Sequence, residues 1–101
     1  MTAKQIIIFL IAICGYSNAF SQIKIHGKVI DEDNNPLEFA TVRIADTALG
    51  TNTNLDGDYS ISCPARDTIT VVFTCIGYKE AKRQLIEPKG EFILNMRMIK
   101  V

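Results

Sequence analysis

The chain contains no tryptophan, a single histidine (His26), three cysteines and three prolines among its 101 residues. Each scarcity narrows what it can do. One imidazole gives any Ser or Cys nucleophile a single candidate base, and no orienting group stands beside it. The same shortage leaves few parts for a metal cluster. Excess charge of one sign is absent too: eleven basic residues balance eleven acidic ones, so no basic surface points to nucleic acid. Length allows one small domain and leaves little room for an enzyme with its own cofactor fold. No apolar run approaches the roughly 20 residues that span a bilayer as a helix.

What is present reads first as an address. Lys4 supplies a positive start, and residues 6–14 (IIIFLIAIC) form a nine-residue apolar run that Gly15 ends. Ala19 and Ser21 then place small residues where a signal peptidase inspects them. Residues 1–21 are therefore expected to be a secretory signal peptide, with the domain over 22–101. Ile13 before Cys14 argues against a lipoprotein site. Cleavage removes Lys4 and leaves ten basic and eleven acidic residues, a net charge of −1.

Beyond residue 21 the hydrophobic pattern has period two and no sustained helical period. Ile23, Ile25 and Val29 share one face of a first strand, and Lys24, His26 and Lys28 the other. The DEDNNP stretch (31–36) is a turn. Val42 and Ile44 follow on one face, then a polar segment over 51–55. Asp56-Gly57 is a hairpin signal, with positive φ expected at both residues. Tyr59 and Ile61 point inward beyond it. The CPARD stretch (63–67) turns again before Ile69, Val71 and Phe73. A weaker amphipathic strand spans 78–85, and Phe92, Leu94, Met96 and Met98 form a last alternating face. About seven short strands with turns between them describe an all-β, seven-stranded antiparallel sandwich. Its expected core is Val29, Val42, Ile44, Ile61, Val71, Phe73, Tyr78 and Leu94. A hairpin at 63–67 would put Cys63 near Thr68, too far from Cys75 for a disulfide.

Chemistry-bearing residues are scattered. The run from Asn52 to Asp58 imitates a calcium loop, yet its twelfth position is Cys63, where a bidentate carboxylate is required. Asp31, Glu32 and Asp33, like Asp56 and Asp58, fall in turns, where carboxylates cap backbone amides. Lys79, Lys82 and Arg83 suggest a charged edge strand that resists sheet-to-sheet association. No catalytic residue, cofactor or metal ligand is expected.

The ordered pieces Gly27-Lys28-Val29, Asn35-Pro36-Leu37, Ala40-Thr41-Val42, Gly50-Thr51, Leu55-Asp56-Gly57-Asp58-Tyr59 and Ile76-Gly77-Tyr78 resemble the carboxypeptidase regulatory-like domain. The resemblance covers about 23–98. It implies a transthyretin-like β-sandwich of the extracytoplasmic space, with no chemistry of its own. In Gram-negative envelopes such domains stand at the N-terminus of TonB-dependent outer-membrane receptors, and similar ones accompany peptidases and surface adhesins. The expectation is thus an exported accessory module, in the periplasm or at the outer membrane, with an envelope protein as partner. A carbohydrate- or protein-binding surface module, a fragment of a longer receptor and a peptidase-associated subunit are the alternatives. Protein recovered from the envelope should begin at Gln22 by intact mass; a mass retaining residues 1–21 would refute export by this route.

Overall fold

A computed structural model describes residues 22–101; the signal-peptide reading and Cys14 lie outside them. Eight strands follow in chain order: β1 (Gln22–Ile30), β2 (Thr41–Ile44), β3 (Gly50–Asn52), β4 (Asp58–Pro64), β5 (Thr68–Thr74), β6 (Ala81–Ile86), β7 (Glu91–Ile93) and β8 (Met96–Arg97). One sheet runs β4-β1-β7 with β8 also on β1, and the other runs β3-β2-β5-β6. Their apolar faces meet in one core, so the protein is an all-β sandwich.

Alternation builds that core. In β4, Tyr59, Ile61 and Cys63 are buried while Ser60 and Ser62 are exposed. In β1, Ile23, Ile25 and Val29 are buried. Strand β5 departs from the pattern, because Val72 is buried together with its neighbours Val71 and Phe73. It lies between β2 and β6, so flanking side chains cover even its outer face. Of the residues expected inside, Val29, Val42, Ile44, Ile61, Val71 and Phe73 are buried, whereas Tyr78 and Leu94 pack half-buried against the margin. Phe92 has the inward parity but stays partly exposed at the open edge.

Two local readings need correction. The Asp56-Gly57 turn is closed, with Gly57 N–H donating to Asn54 C=O and Asn54 N–H to Asp58 C=O. Only Gly57 has positive φ (76°), so this is a three-residue loop and not the two-residue turn expected. Nor does it make a hairpin: β3 lies in one sheet and β4 in the other. The 63–67 turn likewise crosses between sheets. Cys63 consequently stands opposite Ile23 and not near Thr68, and both it and Cys75 are free thiols.

The last alternating face divides into β7 and β8, both parallel to β1, which makes the first sheet mixed and the strand count eight. Register is nevertheless continuous, with His26 opposite Ile93 and Val29 opposite Met96. The interruption has a specific cause. Leu94 N–H donates to His26 C=O, while the Leu94 carbonyl turns to accept the Tyr59 hydroxyl. Lys28 N–H is then served by Asn95 Oδ1 (2.9 Å). A side chain at Gly27 would collide with the Leu94 carbonyl, so glycine is what lets this crossing lie flat.

The sheets are joined at one corner. Val29 N–H donates to the Gly57 carbonyl (2.8 Å), and Leu37 N–H donates to the Val29 carbonyl (3.0 Å). Beside them the buried Thr53 hydroxyl donates to Leu37 C=O (2.5 Å) and accepts from Ala40 N–H (2.9 Å). A Cβ on Gly57 would lie 2.5 Å from the Val29 carbonyl oxygen. Gly57→Val should therefore lower stability by about 1–3 kcal/mol, read from urea unfolding midpoints. Gly77→Ala has the same sign of φ with nothing within 4 Å, and should cost only about 1 kcal/mol of backbone strain. Equal midpoints for wild type and Gly57→Val would show that the corner tolerates a side chain.

Tyr59 ties the core to the β7–β8 crossing. Its ring meets Phe73 edge-on, centroids 5.7 Å apart at 80°. Burial pushes its hydroxyl up from 10.0 to about 12. Since the unfolded chain loses this proton first, the stabilisation is complete below pH 10 and is lost as pH rises towards 12. Unfolding midpoints should fall across that window by an amount equivalent to about 3 kcal/mol at most. Tyr59→Phe should flatten this fall, after losing about 1 kcal/mol at neutral pH with the hydrogen bond to Leu94. An identical alkaline profile in the two proteins would contradict the assignment.

Candidate functional site

His26 projects from the outer face of β1, its Nε2 2.6 Å from Glu91 Oε1. The two atoms are close but misaligned, and this buried ring nitrogen makes no hydrogen bond. Cys63 points into the core from the opposite face of the same sheet, so the two cannot form a nucleophile–base pair. Burial also pushes the Cys63 thiol up, partly offset by the Arg66 charge, which leaves less thiolate.

Asp31 and Glu32 are occupied with backbone. Asp31 Oδ1 accepts the Asp33 and Asn35 amides at 2.8 and 2.9 Å, and Glu32 Oε1 accepts Lys100 N–H at 2.9 Å. In the calcium-like loop, Asn54 Oδ1 accepts both Asp56 and Asp58 N–H at 3.0 Å. The oxygen a cation would need is thereby committed to closing the turn. Asp58 also stands 3.8 Å from Lys28 Nζ. Among the described residues no three His, Cys, Asp or Glu side chains converge on a metal position.

Two open grooves are more informative. The first, about 510 Å³, lies between the 65–67 and 87–90 turns and mixes Arg66 and Lys89 with Asp67 and Glu87. The second, about 570 Å³, is lined by Lys28, Ile30, Arg83, Asn95, Met96 and Arg97. Its charged lining is entirely cationic. Lys28 and Arg97 come from β1 and β8, whereas Arg83 comes from β6 of the other sheet. Arg83 pairs with the buried Val71, between Ala81 and Leu85, and so occupies an inward-facing register position at the sandwich margin.

Sequence reasoning grouped Arg83 with Lys79 and Lys82. Strand alternation separates them: Lys82 stands opposite Val72 on the outer face of its sheet. The parity of Ala81, Arg83 and Leu85 was the available signal for Arg83. Nothing local signalled that Lys28 and Arg97, distant in sequence, would meet it.

This architecture matches a known family. The model of the CarboxypepD_reg-like domain matches residues 25–99, and the chain belongs to that family. No curated protein matches the chain. Among solved structures, 3-chlorocatechol 1,2-dioxygenase from Rhodococcus opacus 1CP is similar with a TM-score of 0.64 at 10% identity, over 80% of this chain and 60% of that one. Catechol 1,2-dioxygenase from Acinetobacter sp. ADP1 gives 0.68 at 11%, over 86% and 55%. A type II cohesin–X-dockerin complex from Acetivibrio cellulolyticus gives 0.67 at 18%, over 77% and 58%. The protein thus spans little more than half of each of these three chains, and at these identities the likeness is one of fold.

Proposed function

We propose that the protein is an exported, non-catalytic interaction module of the cell envelope, related to the N-terminal extension of TonB-dependent receptors. The observation that carries this reading is a division of labour among its polar groups. Among the described residues those that might do chemistry do not converge on a common site, while strand edges keep unpaired backbone. Strand β6 bonds only to β5 in its sheet, and β7 and β8 bond only to β1 in theirs, although beyond β8 that edge is closed where Lys79 N–H donates to Ile99 C=O and Val101 N–H to Gly77 C=O. Free edges of this kind accept extended segments of other proteins.

Family membership supports the reading, since the resemblance implies an accessory domain. The likeness to a chain of a cohesin–X-dockerin complex supports use of the fold in a protein assembly. The dioxygenase likeness contributes the fold alone, at 10–11% identity.

Two measurements test the reading. A broad hydrolase screen of the purified protein should give no turnover that survives repurification. Turnover abolished by His26→Ala would make the protein an enzyme. Crosslinking in the intact envelope should recover a protein partner reproducibly; recovery of none would overturn the interaction role.

A further inference from the structure

The groove of Lys28, Arg83 and Arg97 has a charge selectivity that the chain as a whole lacks. Residues 22–101 carry a net charge of −1, yet three cations and no carboxylate line this one surface. Two of the cations are already positioned. Arg97 Nη2 donates to Asn34 Oδ1 (2.6 Å), and Lys28 Nζ stands 3.8 Å from Asp58 Oδ1. Among the described residues Lys28 pairs with Asp58 and Arg43 with Glu80, whereas Arg83 is left without an ion pair. An inward-placed charge on an edge strand discourages aggregation. That role accounts for Arg83 but not for its convergence with cations from the other sheet.

Resting on the interaction-module reading, we propose that this groove binds the carboxylates of an extended acidic segment of a partner protein, lying along the open edge of β7 and β8 as far as Arg97, where pairing of 99–101 with 77–79 closes it. A guanidinium and a carboxylate match as a two-pronged fork, so Arg83 and Arg97 suit such side chains better than lone point charges would. Between the cations lie Ile30 and Met96, and Ile93 continues the outer face of the same sheet, 66% exposed. Cationic and apolar contacts thus follow one another along the groove, and an extended chain presents every second side chain to one surface. No aromatic residue lines the groove to stack a nucleobase, which favours a peptide over a single-stranded nucleic acid.

The test uses a fluorescent peptide of about eight residues in the repeat Glu-Ser-Val-Ser, which sets Glu and Val alternately on one face of the extended chain, titrated by anisotropy against the purified protein. Binding should weaken with added salt and fall about tenfold when Gln replaces Glu in the peptide. Arg83→Gln should weaken it about fivefold or more with an unchanged thermal midpoint, while Arg83→Lys retains part of the affinity. Lys82→Gln removes the same charge from the other face of β6 and should change affinity less than about twofold. Equal losses from Arg83→Gln and Lys82→Gln would reduce the effect to general charge and overturn the proposal. So would equal binding of the Glu and Gln peptides, or failure of both to bind. Displacement by inorganic phosphate at the peptide's own concentration would make this a small-anion site, and tighter binding of an oligothymidylate a nucleic-acid site; either overturns it. The interaction-module reading fails separately: if envelope crosslinking recovers the same partner with Arg83→Gln as with wild type, the module stands and this groove is not its contact.

Discussion

Where β1 ends, the Val29 amide reaches the Gly57 carbonyl while the Val29 carbonyl receives the Leu37 amide. Both groups of one buried residue are thus satisfied outside any regular ladder. A buried backbone group without a partner costs free energy on the scale of a lost hydrogen bond, so this junction constrains everything attached to it. The chain must pass from the second sheet to the first within a single three-residue loop. It must also bring backbone against backbone more closely than a side chain allows, and Thr53 anchors the adjacent 37–40 segment from the interior. The sandwich closes because these contacts can be met at once.

From that junction the rest of the first sheet follows. β1 lies between β4 on one side and β7 and β8 on the other, so three chain regions converge on one strand. Continuous register across the Leu94–Asn95 break keeps Met96 and Met98 on the buried face. Tyr59 and Asn95 replace the ladder bonds that a straight strand would have made. The crossing is therefore part of the packing, and Gly27 is its steric condition.

The alternation of β1 and β4 was legible in the sequence because burial enforces a period of two wherever one face meets the core. Partner choice was less legible. Asp56-Gly57 signals a tight turn, but the same signal serves a hairpin and a corner between sheets, and only long-range pairing separates the two. Parallel pairing of β7 and β8 with β1 depends on residues some 67 positions apart. The groove shows the same limit. Arg83 could be assigned a face by parity, whereas its meeting with Lys28 and Arg97 belongs to the fold. The Asp31 carboxylate was readable as a cap because its partners lie within four residues, whereas that of Glu32 serves Lys100 N–H 68 positions on and the 54–58 loop is capped by the Asn54 amide oxygen.

Parallel pairing of the first strand with the last two also decides how the domain would respond to being pulled. A load entering along β1 and leaving along β8 draws the two past each other lengthwise. The bonds joining positions 24–30 to 91–97 are then strained together and not one after another, as they would be in a hairpin peeled from its open end. Resistance of this kind resides in a steep unfolding barrier more than in equilibrium stability. A small sandwich with a thin core can in this way remain folded under tension that would open a larger domain strand by strand.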